Sequence, residues 1–198
     1  MLKLQEGGIL ESAIHNHLIG ESPRVLYMHI SSHGDAMRMA KALHDALALT
    51  KTPGPDTNAA PPTPTDLGFD QKQVEQVLGR AGKINGGVLQ ISVPRVETIT
   101  DSGMVIPPSM GVATALNFQP TGGGKAAITG DFVLLGSEVN PVMKTLRQNG
   151  IQVTALHSHM LMEDPRLFFM HFWANDDAQK LAQGLRAALD LGNVKRGT

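Results

Sequence analysis

The chain has 198 residues, the length of one ordinary domain or two small ones, and it is long enough to bury a core without a covalent staple. Seventeen Lys plus Arg against eighteen Asp plus Glu leave a formal charge of -1, so no overall positive field favours nucleic acid or an acidic membrane. The absence of cysteine excludes disulfides, thiolate nucleophiles and Cys-ligated zinc or iron–sulfur sites, and any metal must therefore bind His, carboxylate or carbonyl groups.

Two further features of the sequence bear on where the protein resides. Its apolar runs are far shorter than the roughly 18 to 20 residues that a bilayer-crossing helix needs, so we predict no transmembrane segment. Glu6 and two glycines interrupt the N-terminal segment before an apolar signal region can form. We therefore expect the chain as written to carry no export signal.

The first fifty residues predict two strands followed by a helix. Residues 13–19 alternate apolar side chains with histidine, and a Gly-Glu-Ser-Pro turn separates them from a second strand over residues 24–30. An amphipathic helix over residues 35–49 begins at Asp35, a residue type that favours the N-cap position. Residues 50–66 are rich in Pro and Thr and predict an extended linker without core-forming side chains.

The rest of the chain predicts a longer series of strands and helices. In chain order we expect a helix over residues 69–80, strands over 88–93, 104–106 and 126–135, a helix over 137–148, strands over 155–161 and 166–173, and a helix from 176 or 177 to 191. The glycine-rich stretch 120–125 predicts a hairpin turn. A phosphate-binding loop is the alternative, although the stretch lacks the G-x-x-x-x-G-K-[ST] spacing and leads into a strand.

An internal repeat organises the chain. Shifting the sequence by 142 positions aligns residues 9–49 with residues 151–191 without a gap, and 16 of these 41 positions are identical. Six of the eight histidines fall among the identities as three pairs. We therefore divide the chain into a partial first repeat (1–49), a linker (50–66) and a complete second repeat (67–198).

The complete repeat unit has the order β-α-β-β-α. We predict an α+β fold of ferredoxin-like units, with an antiparallel sheet and helices on one face. The first repeat has no room for the leading strand, because Met1 aligns with Met143 in the middle of the first helix. Either the chain is a shortened form of a longer protein, or another subunit supplies the missing strand. An uncovered sheet edge favours pairing, so we expect a homo-oligomer, in the simplest case a homodimer.

The repeated histidines form two equivalent triplets. The triplets are His15, His17 and His29 in the first repeat, and His157, His159 and His171 in the second. Each H-x-H pair places two imidazoles on one face of a strand about 6.5 to 7 Å apart, and the third histidine follows on the next strand. If paired residue numbers sum to 44 and 328, the first histidine of each triplet faces the third. In that register, His17 faces Tyr27 and His159 faces Phe169.

Three histidines with an open fourth position are the composition of a catalytic zinc site. Hydrogen-bonded core histidines or a solvated strand face are the alternative. However, two copies that differ at 25 of 41 positions keep all three histidines at the same spacing. The sequence therefore predicts a divalent metal ion, with zinc as the leading candidate, bound by the six histidines. His33 and His44 have no histidine counterpart, and we interpret them as surface or capping residues.

Glu21 and Glu163 lie four residues after the second histidine of each pair. Each is a candidate fourth ligand, a candidate catalytic base that activates metal-bound water, or a turn carboxylate paired with the nearby arginine. Arg24 and Arg166 are candidates for binding a substrate carboxylate or carbonyl oxygen, with an ion pair to the neighbouring glutamate as the alternative. Tyr27, beside the first triplet, is the third candidate for substrate binding.

Four segments of the chain resemble the LppY/LpqO family, a domain of unknown function found in bacterial lipoproteins and exported proteins. The segments are HNHLIGESPRVLYMHI, NFQPTGGGKAAITGDF, EVNPVMKTLRQNGI and ALHSHMLMEDPRLFFMHFWAND. The resemblance covers nearly the whole chain. It implies two repeats and an exported or periplasmic location, and it implies no particular chemistry.

Three functions are open on the sequence alone. In the first, the histidines hold one or two divalent ions and the glutamates handle protons while a small ester, amide or lactone, for instance of the acyl-homoserine-lactone type, is hydrolysed. The motive for this substrate class is that H-x-H pairs also occur in metallo-lactonases. The second is a non-catalytic metal- or ligand-binding module of the cell envelope, and the third is a scaffold with hydrogen-bonded histidines. We expect a small-molecule partner and no nucleic acid.

Overall fold

The computed structural model describes residues 1–51, 66–195 and 197 of the chain. The helices are α1 (Leu2–Glu6), α2 (Ala36–Leu47), α3 (Gln71–Leu78), α4 (Gly136–Gln148) and α5 (Ala178–Leu189). The strands are β1 (Leu10–His15), β2 (Tyr27–Ser31), β3 (Lys83–Asn85), β4 (Val88–Pro94), β5 (Thr100–Asp101), β6 (Met104–Val105), β7 (Ala113–Gly122), β8 (Lys125–Leu134), β9 (Gln152–His157), β10 (Glu163–Asp164) and β11 (Phe168–Asp177). Most of the predicted linker, residues 52–65, lies outside the described residues.

A six-stranded antiparallel sheet in the order β3-β4-β7-β8-β11-β9 carries the main core. Alternate residues of each strand face the same side, as in β4, where Leu89, Ile91 and Val93 are all buried. This side of the sheet packs against α3, α4 and α5 in one apolar cluster that includes the fully buried Phe118 and Phe172. The predicted α+β class is confirmed, and the identification of each unit as ferredoxin-like stays a prediction.

Two helices begin where the sequence predicts them to begin. Asp35 caps α2 by accepting a hydrogen bond from the Arg38 backbone N–H at 2.8 Å, as predicted. Asp177 caps α5 in the same way, through the Lys180 backbone N–H at 2.9 Å. Both helices end two residues before their predicted last residue, at Leu47 and Leu189.

The first fifty residues form the order α1-β1-β2-α2, in which β1 and β2 make a separate two-stranded antiparallel sheet. With the 142-residue offset, these elements correspond to the end of α4, β9, β11 and α5. A small residue brings the helices close together in both units. A Cβ on Gly7 would lie 2.4 Å from the Cβ of Ala42, and a Cβ on Gly184 would lie 2.8 Å from that of Asn149.

The predicted hairpin register is wrong by two residues in both units. His15 pairs with Tyr27 rather than with His29, and His157 pairs with Phe169 rather than with His171. The reason is that β1 and β9 end at these histidines and a long loop follows, so the predicted tight turn does not set the register. A shift of two residues keeps every side chain on its predicted face, and the histidines therefore still share one face.

The glycine-rich turn is a hairpin, as predicted. Gly122 pairs with Lys125 at the end of β7 and β8, and the two residues between them, Gly123 and Gly124, have φ angles of 60° and 78°. Two successive left-handed residues are the geometry of the favoured two-residue hairpin turn.

None of the helices within residues 1–51 and 66–195 combines the length and the apolar character needed to cross a bilayer.

Candidate metal centre

The centre lies on the side of the main sheet that faces away from α3, α4 and α5. Met170 and Phe172 of β11 point into the helix-packed core, so Phe169 and His171, which alternate with them, point to the opposite side. The β1–β2 hairpin covers this second side. The centre is therefore enclosed between the first fifty residues and the main sheet.

Two matching hydrogen bonds hold the hairpin over the sheet. The Ser12 hydroxyl donates to the carbonyl oxygen of His159 at 2.5 Å, and the Thr154 hydroxyl donates to the carbonyl oxygen of His17 at 2.6 Å. The two bonds are equivalent under the 142-residue offset, because Ser12 corresponds to Thr154 and His17 corresponds to His159. The two units therefore contact each other reciprocally.

All six repeated histidines meet in one cluster. The rings of His15 and His157 lie at its middle, with centroids 3.5 Å apart. On either side, His17 stacks against His171 at 3.7 Å and His29 stacks against His159 at 3.6 Å. These two flanking contacts also exchange under the 142-residue offset, so the cluster has an approximate twofold axis between its central rings. The two triplets make a single centre rather than two separate ones.

The Nε2 atoms of the cluster have no hydrogen-bond partner among the residues that the structure describes. The Nε2 atoms in question belong to His15, His17, His29, His157, His159 and His171, and each is buried. A buried polar atom without a partner is rare and costs about 1–3 kcal/mol. Six such atoms in one place indicate that the cluster is built to hold something that accepts their lone pairs.

His171 shows how the backbone aims one of these rings. Its Nδ1 lies 3.0 Å from the carbonyl oxygen of Gly130, which makes Nδ1–H the donor and leaves the lone pair on Nε2 directed into the cluster. Gly130 is required for the close strand approach at this point, because a Cβ there would lie 1.8 Å from the carbonyl oxygen of Ala115.

The environment keeps the imidazoles neutral. Burial, together with the neighbouring imidazoles, lowers the pKa values of His17 and His157 to about 4, and that of His171 to about 3. Burial likewise lowers the pKa of His29 to about 4 and that of His15 below its ordinary value. Neutral imidazole is the form that binds metal ions, so the centre is in its ligand form at pH 7.

These pKa shifts predict a stability that is lost on acidification. The folded-state pKa values lie below the unfolded value of 6.5, so the unfolded chain binds more protons between pH 6.5 and about 4. Stability is therefore fully present above pH 6.5, and the urea midpoint of chelator-treated protein is expected to fall steadily from pH 6.5 to pH 4.5. A variant with His157→Ala should show a shallower fall. A midpoint that stays constant over this range contradicts the expectation.

The ligand atoms gather into three overlapping groups, in each of which all atoms lie within 4.8 Å of one another. The first group comprises His15, His17, His157 and His171, the second His15, His29 and His159, and the third Asp131, His159 and His171. Zinc takes four protein ligands in closed sites, and in catalytic sites it takes three, such as three histidines, with a fourth position left open. The first group thus has the composition of a closed site, and the second has the composition of an open one.

Asp131 is the residue of this centre that the sequence analysis missed. It lies on β8, directly opposite His171 of β11 and outside residues 151–191, the segment that aligns with the first repeat. Burial raises the pKa of its carboxyl group to about 7. The available signal was a charged residue inside the otherwise apolar run AAITGDFVLL.

Each of the two predicted glutamates binds the backbone four residues further along the chain. The Glu21 carboxylate accepts the Val25 backbone N–H, and the Glu163 carboxylate accepts the Leu167 backbone N–H, each at 3.1 Å. Neither glutamate belongs to the three groups of ligand atoms found within the described residues. This placement favours the turn-carboxylate alternative over a role as ligand or base.

Of the three predicted substrate-binding residues, the two arginines lie in or beside the loops and Tyr27 lies at the centre. Arg166 donates to the Glu163 carboxylate at 3.2 Å and to two loop carbonyl oxygens, while Arg24 is exposed in the corresponding loop. Tyr27 does join the centre, because its ring stacks on His17 with a centroid distance of 3.6 Å. His33 and His44 are exposed and lie apart from the cluster, in agreement with their interpretation as surface residues.

Comparison with known proteins adds a family and no activity. A family model described as Domain of Unknown Function (DUF1259) matches residues 1–49 and 72–191. No curated protein matches the chain, and no solved structure does.

Proposed function

Because the chain belongs to the family described as Domain of Unknown Function (DUF1259), which brings no activity with it, we propose a function from the centre itself: the protein binds a divalent metal ion, zinc above all, through its clustered histidines. The observation that carries this proposal is the set of six buried Nε2 atoms without a hydrogen-bond partner. We also propose that this family is the LppY/LpqO family, because the four resembling segments all lie within the matched residues.

A cation explains the cluster better than hydrogen bonding among the rings. A neutral imidazole has one donor and one acceptor nitrogen, so six rings that turn Nε2 towards one another bring lone pairs together. Protonation would relieve this repulsion, but burial opposes it, as the lowered pKa values of His17 and His171 show. A divalent ion accepts several lone pairs at once, and imidazole nitrogen suits zinc.

The activity that we propose for the bound ion is hydrolysis of a small ester or lactone. The three-histidine group of His15, His29 and His159 supports it, since three protein ligands leave a fourth position for water. A zinc ion in such a site lowers the pKa of a bound water to about 7. Tyr27, stacked on His17 at the edge of the same cluster, is the aromatic surface on which we place the substrate.

A non-catalytic metal-binding module of the cell envelope is the second candidate. The four-histidine group of His15, His17, His157 and His171 favours it, because four protein ligands close the coordination shell of zinc. The engagement of Glu21 and Glu163 in their loops also favours this candidate, since neither carboxylate is then free to act as a base.

Elemental analysis of the untagged protein tests the common part of both candidates, with zinc at one or more equivalents per chain as the expected result. Turnover of a panel of small esters and lactones, before and after chelation and after zinc is restored, then separates them. Hydrolysis that chelation abolishes and zinc restores supports the enzyme. Bound zinc without turnover favours the module, and protein that takes up no divalent ion from metal-supplemented buffer contradicts both.

A further inference from the structure

We propose that Asp131 is a metal ligand, and that it binds a divalent cation together with His159 and His171. The centre then offers one mixed nitrogen–oxygen position beside its all-histidine positions. This inference rests on the proposed function, because it assumes that the cluster binds a divalent ion. It goes further by assigning a carboxylate ligand that the repeated motif does not contain.

Asp131 lies close to two histidines of the cluster. The Asp131 carboxylate oxygen and one ring nitrogen each of His159 and His171 lie within 4.8 Å of one another. Asp131 is the direct cross-strand partner of His171, so the sheet itself holds the two side chains together. The carbonyl oxygen of Gly130, one residue earlier, receives the Nδ1–H of His171 and turns its Nε2 inward.

The Asp131 carboxylate has no charged side chain paired with it among the described residues. Within residues 1–51 and 66–195, no Lys or Arg forms an ion pair with Asp131, and backbone N–H groups are its hydrogen-bond donors. An enclosed carboxylate without a countercharge is unfavourable. A divalent ion bound by neutral imidazoles keeps its full charge of +2, because these ligands carry no negative charge. If Asp131 binds the same ion, the carboxylate gains a positive partner and the net charge of the centre falls to +1.

Asp131 also links the two all-histidine groups of the cluster. His159 belongs to the open three-histidine group and His171 to the four-histidine group, and the Asp131 carboxylate lies within 4.8 Å of a ring nitrogen of each. Two imidazoles and one carboxylate suit first-row divalent ions from Mn²⁺ to Zn²⁺ and leave coordination positions open.

Cobalt reports the ligand set directly and is the probe for the test. Wild-type protein, Asp131→Asn and the control Asp190→Asn are freed of metal and titrated with Co²⁺ while the visible d–d bands are recorded. Asp190 is the exposed residue directly after α5, and within residues 1–51 and 66–195 its ion pair is with the nearby Arg186. We expect Asp131→Asn to bind Co²⁺ at least about tenfold more weakly, with altered band positions and intensities, and Asp190→Asn to match the wild type.

The possible outcomes are distinct. If the wild type binds no Co²⁺ or Zn²⁺, the proposed function fails. If the wild type binds and Asp131→Asn gives the same affinity, stoichiometry and spectrum, the proposed function stands and the role of Asp131 is overturned. Far-UV circular dichroism verifies the fold of each variant, and Asp131→Ser replaces Asp131→Asn if the latter does not fold.

Discussion

A variant carrying His15→Ala and His157→Ala is expected to lose its bound zinc while keeping its fold. These two rings form the middle of the cluster, with centroids 3.5 Å apart, and together they contribute to both all-histidine groups. Their removal leaves two ligands in each of these groups, too few to hold a zinc ion tightly. We expect the zinc affinity to fall on the order of 100-fold or more, measured by competition with a chromophoric chelator.

The chain provides a matched control for this experiment in the histidines outside the repeat. A variant with His33→Ala and His44→Ala also loses two imidazoles, but both are exposed and neither belongs to a group of ligand atoms. It should bind zinc as the wild type does. Equal zinc affinity for the two double variants, with both folded by circular dichroism, would sink the assignment of the cluster as the metal centre.

The second large effect is expected at a buried ion pair beneath the main sheet. The Arg95 guanidinium is 1% exposed and donates to both carboxylate oxygens of Glu138, at 2.7 and 3.0 Å. The same carboxylate accepts the Leu135 backbone N–H at the start of α4 and the Asn193 backbone N–H. Glu97 also pairs with Arg95, at 3.0 Å, so Glu138→Gln leaves the guanidinium one of its two carboxylate partners. The substitution weakens the charged hydrogen bonds to Arg95, and we expect it to cost about 1.5–3 kcal/mol in the free energy of unfolding.

Urea unfolding followed by circular dichroism measures this loss. Asp45→Asn serves as the control, because it breaks the ion pair with Lys41 on the solvent-exposed side of α2. Exposed pairs contribute at most about 1 kcal/mol, so this control should shift the midpoint only slightly. The interpretation of Glu138 as a structural anchor is wrong if the two variants are equally stable.

The sequence predicts the members of the centre well because repetition marks them. His15, His17 and His29 recur at a fixed offset, and their spacing places them on one face of two strands whatever the register. The same property made the wrong register harmless, since an error of two residues preserves the face. The ends of the strands were predicted less well than their faces. His17 continues the alternating pattern of β1, but it lies in the loop beyond that strand.

Two properties of the centre lay beyond the reach of the sequence. The two triplets come together because the β1–β2 hairpin lies across the sheet, where the hydrogen bonds from Ser12 and Thr154 hold it. No local sequence pattern encodes this packing. Asp131 escaped notice because it lies outside residues 151–191, the segment in which the two copies can be compared.

The reciprocal packing of the two units has a consequence for the order of folding. The ligands come from positions about 142 residues apart, so the centre closes only after both units have formed their local strands and helices. If the proposed function holds, an ion bound by His15 and His157 together would act as a non-covalent crosslink across that long loop, in a chain that has no cysteine for a covalent one. Metal availability would then set how long the N-terminal hairpin survives proteases, and the lifetime of the protein would follow the metal supply of its compartment.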